Sequence, residues 1–551
     1  MTSDTRRSEP RPINEIARHL DVRDSEILPY GQFAAKLDAT ALRKRLVLQP
    51  EGRFVVVTGM TPTPPGEGKT LTTIGLTMAL NRIGTRTAAT LRQPSLGPVF
   101  GLKGGASGSG RAEVIPSELM NLHLTGDFHA ITAAHNLLSA VIDSQLVQDN
   151  PHGLDPLAIT WPRVLDINDR ALRHITTGLG GRLNGQPRET RFDITATSEI
   201  MSVLGLSRDL AELKQRIGAI TVGSAMNGQP VTVADIGIAG ALTALLRDAI
   251  NPNLLQTSEH TPAFVHSGPF ANISYGNSSV IADLLALKLA DCVVTESGFG
   301  SDLGFEKMMH IKAPVLGRYP DAAVLVSTVR ALKYHSGGGI ADPLEAVRAG
   351  FPNLRQHIEN IRRFGLPVVV AVNRFTGDTD AELELTRELA LDAGATDAQV
   401  SSAWAMGGEG AEGLARAVLA AFDGEPPTIK LVAAPEAPLQ EKIQAIATTV
   451  YGAAEVSFSP RATRQLRVLT DQGLGHLPVC MAKTPLSLSD NPKVLGRPAG
   501  FTLTVHELRP YTGAGYVTAL CGDILTMPGL PKAAAVYGID VDEDGQITGL
   551  S

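Results

Sequence analysis

A glycine-rich turn with one lysine and one threonine is the feature of this sequence that most directly suggests chemistry. It reads Thr63-Pro64-Pro65-Gly66-Glu67-Gly68-Lys69-Thr70 and lies between an apolar run, residues 54–58, and a segment with helical spacing, residues 71–82. Glycines let backbone N–H groups approach phosphate oxygens, and a lysine at a helix N-terminus reaches the outer phosphates. We therefore expect the turn to bind ATP, with Thr70 as a Mg²⁺ ligand. Thr63 replaces the first glycine of the usual pattern, and an ordinary Pro/Gly-rich turn is the alternative.

Two further polar residues follow predicted strands. Arg92 comes directly after the strand 85–91. Because strand, helix and strand would form a βαβ unit, we expect its guanidinium beside the turn, where it would hold a carboxylate or an acyl phosphate. Asp127 lies in Thr125-Gly126-Asp127 and could hold Mg²⁺ or its water. A surface arginine and a solvated loop acid are the respective alternatives.

Aromatic and histidine side chains give two weaker indications. Phe375 and Trp404 stand on predicted loops and could sandwich a flat heterocycle, although most aromatic residues in such a chain belong to the core. His123, His129 and His135 recur every six residues, a step that turns a helix by about 240°. They would not share a helix face, so we expect no zinc site there.

The apolar runs predict an α/β protein. They recur at residues 290–295, 322–327 and 366–372, and each ends in a polar or glycine-rich loop, the first being Glu296–Gly300. This pattern is typical of a doubly wound, mostly parallel sheet of the P-loop NTPase type, whose ligands bind at the carboxyl ends of the strands. We expect an ATP-binding core from residues 1–150 and 253–365, an inserted subdomain at 151–252, and a C-terminal α/β domain within 366–551.

Composition excludes several classes of protein. The chain has 551 residues, which is too long for one compact domain. Its 43% hydrophobic and 19% charged residues are typical of globular proteins. The net charge is −7 and no long run of like charges occurs, so we expect no nucleic-acid partner. Three cysteines give no disulfide framework, and no signal peptide or membrane-spanning run is found. We expect a cytoplasmic protein without membrane contact.

Six motifs in order along the chain resemble the formate–tetrahydrofolate ligase family, also called formyltetrahydrofolate synthetase. They are Thr61-Pro62-Thr63-Pro64-Pro65-Gly66-Glu67-Gly68-Lys69-Thr70, Leu91-Arg92-Gln93-Pro94-Ser95-Leu96-Gly97-Pro98, Thr125-Gly126-Asp127, Ala134-His135-Asn136-Leu137-Leu138, Thr295-Glu296-Ser297-Gly298-Phe299-Gly300 and Thr526-Met527-Pro528-Gly529-Leu530-Pro531.

The resemblance implies a three-domain, homotetrameric enzyme that joins formate to tetrahydrofolate with MgATP through formyl phosphate. It also implies a monovalent cation, K⁺ or NH₄⁺, as activator. By position, residues 63–70 would bind ATP, and Lys69, Arg92 and Asp127 would be catalytic. Phe375 and Trp404 would stack on the pterin, which makes residues 366–551 the folate side.

The sequence also departs from the family. Gln93 stands where family members usually have glutamate, and an amide neither accepts a proton nor carries charge. Pro485-Leu486-Ser487-Leu488 replaces a Gln-Tyr-Ser-Phe type of segment. Two alternatives therefore stay open at this point. One is a related enzyme that uses acyl-phosphate chemistry on another acid or amine, and the other is a non-catalytic nucleotide-binding protein.

Overall fold

A large, mostly parallel sheet forms the centre of the molecule. The computed structural model describes residues 8–270, 272–522 and 524–550. The main path of the sheet contains, in spatial order, the strands Ile27–Pro29, Ala35–Leu37, Asn253–Thr257, Pro262–Val265, Thr87–Leu91, Cys292–Gly300, Arg53–Gly59, Ala322–Ser327, Val368–Asn373 and Asp397–Ser401. Neighbours are parallel from Pro262–Val265 onwards, whereas the strands before it pair antiparallel. The prediction of an α/β protein with a mostly parallel sheet is confirmed.

Helices cover both faces of this sheet, which explains why its central strands are continuous apolar runs. In the strand Arg53–Gly59, Phe54 and Val56 pack into one apolar cluster, while Val55 and Val57 pack into another. The helices that follow sheet strands or cover the sheet are Ile13–His19, Ala39–Arg45, Lys69–Arg82, Asp127–Val147, Val280–Leu289, Val329–His335, Pro343–Arg363, Asp380–Asp392 and Glu412–Ala420. The predicted helix 71–82 is confirmed and begins two residues earlier.

The order of strands corrects one expectation from the sequence. The strand Cys292–Gly300 lies between Arg53–Gly59 and Thr87–Leu91, and it pairs in parallel with both. Arg92 therefore follows a strand that is not the neighbour of the phosphate-loop strand. The local pattern reveals the crossover helix, but it does not reveal which strand from later in the chain enters between the two.

Two further regions lie outside the central sheet. Residues 151–252 contain the small sheet Pro230–Thr232, Thr221–Ala225, Leu154–Ile159 and the helices Glu199–Leu206, Leu210–Gly218, Val233–Ile236 and Ala239–Leu245. The C-terminal region has its own apolar cluster, formed around the helices Leu439–Ile446 and Pro460–Asp471 and the strands Glu455–Phe458, Val479–Ala482, Thr502–Val505, Glu507–Tyr511 and Tyr516–Leu520.

The predicted division into domains stays a prediction, but the central sheet runs past residue 366. The strands Val368–Asn373 and Asp397–Ser401 both extend it beyond that boundary. In the part of the chain that the structure describes, no helix has the length and apolar character needed to cross a bilayer.

Candidate functional site

The predicted phosphate loop is held in shape by a buried carboxylate. Glu67 accepts hydrogen bonds from the backbone N–H of Thr63 at 2.8 Å and from its hydroxyl at 2.6 Å. The other oxygen of Glu67 accepts the hydroxyl of Thr328 at 2.5 Å. The carboxylate thus closes the loop on itself and attaches it to the end of the neighbouring strand. Burial of a carboxylate is tolerated here because its oxygens are hydrogen-bonded.

Two more side chains fix the rest of the loop, one after the same neighbouring strand and one at the end of the next strand. The guanidinium of Arg330 donates to the carbonyl oxygen of Gly66 at 2.6 Å, and Gly66 has φ +81°, a value that favours glycine. The amide of Asn373 donates to the carbonyl oxygen of Glu67 and to the hydroxyl of Thr72, each at 2.9 Å. Contacts within the chain therefore hold the loop in position, which is what a phosphate cradle requires.

Glu296 joins this loop to Arg92. It accepts a hydrogen bond from the hydroxyl of Thr70 at 2.8 Å, and its second oxygen lies 3.9 Å from the guanidinium of Arg92. Sequence reasoning placed residue 296 at the cleft but gave it no role. The predicted loop 296–300 is part of the strand Cys292–Gly300, so Glu296 lies within that strand. The signal was available, because an acidic residue on a strand beside a phosphate loop is a typical Mg²⁺ ligand.

The residues present fit a magnesium ion. A threonine hydroxyl and a carboxylate in contact are the protein ligands that Mg²⁺ takes beside nucleotide phosphates, with water completing its shell. Lys69 begins the helix that follows the loop, and its side chain passes close to Gly59, where a Cβ atom would lie 3.2 Å from Lys69 Cδ. The arrangement can bind MgATP with Thr70 and Glu296 on the metal.

Arg92 lies in a space made by glycine. A Cβ atom at Gly298 would come within 3.0 Å of its guanidinium. The next residue, Gln93, is buried and donates its backbone N–H to the carbonyl oxygen of Ser267 at 2.7 Å. Among the described residues, its Oε1 has no hydrogen-bond partner. Arg92 thus keeps an accessible cation at the site, while Gln93 adds a neutral acceptor.

A buried carboxyl group holds the segment that follows Gln93. Asp166 accepts the hydroxyl of Ser95 at 2.7 Å and the backbone N–H of Leu96 at 2.9 Å. Burial raises the pKa of Asp166 to about 7, and these two hydrogen bonds oppose that rise. The segment after Arg92 is therefore attached to a group that titrates near neutral pH.

Asp127 is the first residue of the helix Asp127–Val147 and is buried rather than solvated. One oxygen lies 2.7 Å from the ammonium of Lys36, and the other accepts the amide of Asn253 at 2.8 Å. That amide also donates to the carbonyl oxygen of Val265, whose strand ends beside Leu91. Asp127 thus lies near the same edge of the sheet as Arg92. This arrangement argues against Mg²⁺ on Asp127, and its catalytic role stays a prediction.

The pair formed by Lys36 and Asp127 also bears on the expected K⁺ or NH₄⁺ ion. Burial lowers the pKa of Lys36, and the carboxylate of Asp127 opposes this by favouring the charged ammonium. A monovalent cation does not fit against Asp127, because the lysine ammonium already lies there.

The two predicted stacking residues follow neighbouring strands and remain accessible. Phe375 is 37% exposed, and the guanidinium carbon of Arg330 lies 4.5 Å from its ring centroid. Trp404 is 55% exposed and belongs to a short helix, Ala403–Met406, rather than to a loop. The structure gives both rings a free surface, and their stacking on a ligand stays a prediction.

The segment that departs from the family is anchored to the central sheet. The buried ammonium of Lys483 lies 2.8 Å from Asp302, just after the strand Cys292–Gly300, and it donates to the carbonyl oxygen of Ser487 at 2.5 Å. Ser487 in turn donates its hydroxyl to the carbonyl oxygen of Val494 at 2.6 Å. These contacts are made by Ser487, the one residue of the segment that matches the family pattern, so the altered segment is anchored through its unaltered serine.

The three histidines do not form a metal site. His123 lies before the helix and its Nδ1 is 2.9 Å from Nε2 of His129, whereas His135 is buried against Trp161. His123 lies outside the helix, which begins at Asp127, so helical spacing does not relate it to the other two histidines. Residues 8–270, 272–522 and 524–550 contain no group of three or more His, Cys, Asp or Glu side chains suited to a metal ion.

Comparison with known proteins decides the family. A family model described as formate–tetrahydrofolate ligase matches residues 3–551. The chain belongs to this family. It is 51% identical over 549 residues to the formate–tetrahydrofolate ligase of Paracoccus denitrificans, covering 99% of this chain and 98% of that protein. It is 52% identical over 545 residues to that of Leuconostoc citreum, covering 98% and 97%.

Membership in the formate–tetrahydrofolate ligase family confirms the resemblance inferred from the six motifs. A third relative of the same name, from a Roseiflexus strain, is 51% identical over 553 residues and is matched over 98% of each chain. The alternative of a related enzyme with another acid or amine is not favoured, because the similarity to these ligases extends over the whole chain.

Proposed function

We propose that this chain joins formate to tetrahydrofolate in an ATP-dependent reaction that yields 10-formyltetrahydrofolate, ADP and phosphate through formyl phosphate. One observation carries the proposal. Glu296 contacts Thr70 at 2.8 Å and approaches Arg92 at 3.9 Å. A phosphate loop, a carboxylate suited to Mg²⁺ and an anion-binding guanidinium thus meet in one place, as phosphoryl transfer to a carboxylate requires.

In the first step, a formate oxygen attacks the γ-phosphorus of ATP and ADP leaves. The loop N–H groups and Lys69 would hold the outer phosphates, while Thr70 and Glu296 would hold Mg²⁺. Bound Mg²⁺ neutralises charge on the phosphate oxygens. Arg92 would bind formate and offset its repulsion from the γ-phosphate, because a planar guanidinium matches a carboxylate in bidentate geometry.

In the second step, N10 of tetrahydrofolate attacks the formyl carbon and phosphate leaves. Formate itself would have to expel oxide, whereas formyl phosphate expels a stable dianion. The proton of N10 goes to the departing phosphate or to water, because the amide of Gln93 cannot accept it. We propose that Phe375 and Trp404 stack on the pterin, with their exposed rings as the supporting observation.

We further infer a doubly wound core of the P-loop NTPase type, and the succession of parallel strand, glycine-rich loop and helix supports it. The homotetramer rests on the family resemblance, and the cytoplasmic location rests on the low number of cysteines. Light scattering of the purified chain tests the first, and fractionation of cells that express it tests the second.

The function is tested by measuring 10-formyltetrahydrofolate from formate, MgATP and tetrahydrofolate in buffer that contains K⁺, with each substrate omitted in turn. Product should require all three. Lys69→Ala should lower kcat by about 10²–10³-fold, because it removes a charge that stabilises the transferred phosphoryl group. Lys44→Ala, on an exposed helix position, is the matched control and should retain full activity. Product formation without folate, or none with ATP bound, would contradict the proposal.

A further inference from the structure

A lysine ammonium lies in a setting that would suit a small free cation. Lys36 belongs to the short strand Ala35–Leu37, and its side chain is buried. The ammonium lies 2.7 Å from an oxygen of Asp127 and donates to the carbonyl oxygen of Asn251 at 2.9 Å. A carboxylate and a main-chain carbonyl are the kinds of oxygen that hold monovalent cations in proteins. Lys36 therefore has oxygen partners that NH₄⁺ or K⁺ would also use.

The positive charge of the Lys36 ammonium is paired with the negative charge of the Asp127 carboxylate. The second oxygen of Asp127 accepts the amide of Asn253 at 2.8 Å, and the hydroxyl of Thr125 donates to the other end of that amide at 2.7 Å. One buried carboxylate thus meets one buried ammonium, and the amide of Asn253 donates to the second carboxylate oxygen. A buried charge without such a partner would be strongly unfavourable.

Gln93 comes after the strand Thr87–Leu91, the neighbour of the strand that ends at Val265, and its amide carries no charge. Gly268 links the two places, because a Cβ atom there would lie 2.2 Å from the carbonyl oxygen of Gln93 and 3.0 Å from the ring of Phe128, the residue after Asp127. A glutamate at position 93, as family members usually have, would add a second buried negative charge that an extra cation could neutralise. The amide of Gln93 carries no such charge.

We propose that the ammonium of Lys36 is a built-in monovalent cation, so that this chain needs no free K⁺ or NH₄⁺ for stability or turnover. The cation that the family resemblance implies is replaced here by a side chain with the same charge, which donates N–H groups to oxygen as NH₄⁺ does. The part that concerns turnover rests on the proposed function, whereas the part that concerns stability does not.

The first test uses the unaltered protein. Its thermal unfolding midpoint and its rate of 10-formyltetrahydrofolate formation are compared in chlorides of K⁺, NH₄⁺ and tetramethylammonium at one ionic strength. We expect no difference between the three salts. A higher midpoint or a faster rate with K⁺ or NH₄⁺ than with tetramethylammonium would overturn the proposal, because a ligand that binds the native state raises its stability.

The second test opens the place that Lys36 fills. Lys36→Ala should lower the unfolding midpoint by several degrees and leave a cavity lined by oxygen atoms. NH₄⁺ or K⁺ should restore the midpoint in proportion to its concentration, and tetramethylammonium, which is too large, should not. Lys44→Ala, on an exposed position, should show neither effect. A folded Lys36→Ala protein that no small cation stabilises would refute a cation site.

A third variant keeps the proposal testable if Lys36→Ala does not fold. The double variant Lys36→Met/Asp127→Asn removes both charges while keeping similar volumes, and its midpoint should be the same in all three salts. Stabilisation of this neutral pair by K⁺ would place the cation elsewhere and overturn the proposal. If no ligase product forms in any salt, the proposed function fails, while the unfolding midpoints still decide the role of Lys36.

Discussion

Two contacts between a cation and a carboxylate lie near the same edge of the sheet and differ in distance and in burial. Arg92 and Glu296 are 3.9 Å apart, with side chains 25% and 11% exposed. Lys36 and Asp127 are 2.7 Å apart, with side chains 1% and 3% exposed. The first pair is loose and partly exposed, so its groups can also contact a ligand, whereas the second pair is closed.

The loose pair is therefore suited to ligand binding, whereas the buried pair contributes to the stability of the fold. A partly exposed and loose ion pair contributes little to folding, since water screens its charges. A buried pair is costly to break, because the partner left behind is an uncompensated charge. Substitutions at Arg92 should therefore reduce activity while the fold persists, and substitutions at Lys36 should reduce stability first.

The largest effect is expected from Lys36→Met. This change leaves the Asp127 carboxylate buried without its cation, which should lower the free energy of unfolding by about 3–5 kcal/mol. Urea denaturation monitored by circular dichroism measures it. Adding Asp127→Asn should restore much of the lost free energy of unfolding. If Lys36→Met alone is as stable as the unaltered protein, the pair is not closed.

Arg92→Met should have the next largest effect, and on activity alone. Removing a guanidinium that stabilises developing charge should lower kcat/KM for formate by about 10²–10³-fold. The free energy of unfolding should change little. Arg53→Met is a matched control, because Arg53 also makes a loose, partly exposed pair, at 3.7 Å from Asp321. Equal losses of activity in the two variants would show that Arg92 is not part of the site.

Trp404→Ala should have a moderate effect confined to the folate side. Loss of one aromatic stacking contact should raise KM for tetrahydrofolate by about 2- to 10-fold. KM for ATP should stay the same and serves as the internal control, because Trp404 follows the strand Asp397–Ser401, which is three strands from the strand that leads into the phosphate loop. A rise in KM for ATP alone would contradict the assignment.

Asp166→Asn should have the smallest effect on activity, and it should be visible instead as a change in the pH dependence of stability. Because the pKa of Asp166 is raised to about 7 in the folded chain, the native state binds more protons than the unfolded state between about pH 4 and 7. The contribution of Asp166 to stability is therefore lost as the pH rises through this range. The variant should lack that decline in urea titrations, and an identical pH profile would refute the assignment.

The sequence predicts most of the phosphate side of the site, because its signals are local. The strand, the glycine-rich turn and the helix around Lys69 and Thr70 are adjacent in the chain, so spacing alone reveals them. The same holds for the apolar strands of the sheet, which are buried on both faces. The outline of the fold follows from these patterns.

The remaining contacts depend on strand order and burial, which no local pattern encodes. Glu296 is 226 residues from Thr70, and they meet only because Cys292–Gly300 enters beside the phosphate-loop strand. Lys36 belongs to no motif, and its pairing with Asp127 arises from packing of an antiparallel strand against a helix N-terminus. Such contacts follow from tertiary structure alone.

The most direct measurement is the rate of 10-formyltetrahydrofolate formation by Glu296→Gln as Mg²⁺ is titrated. Glutamine keeps the size of the side chain but removes the negative charge of Glu296, which Thr70 and Arg92 both approach. We expect a rate lower by about 10²-fold and a higher Mg²⁺ requirement, with an unchanged unfolding midpoint. A variant with the unaltered rate and the unaltered Mg²⁺ requirement would show that Glu296 does not connect the phosphate loop with Arg92.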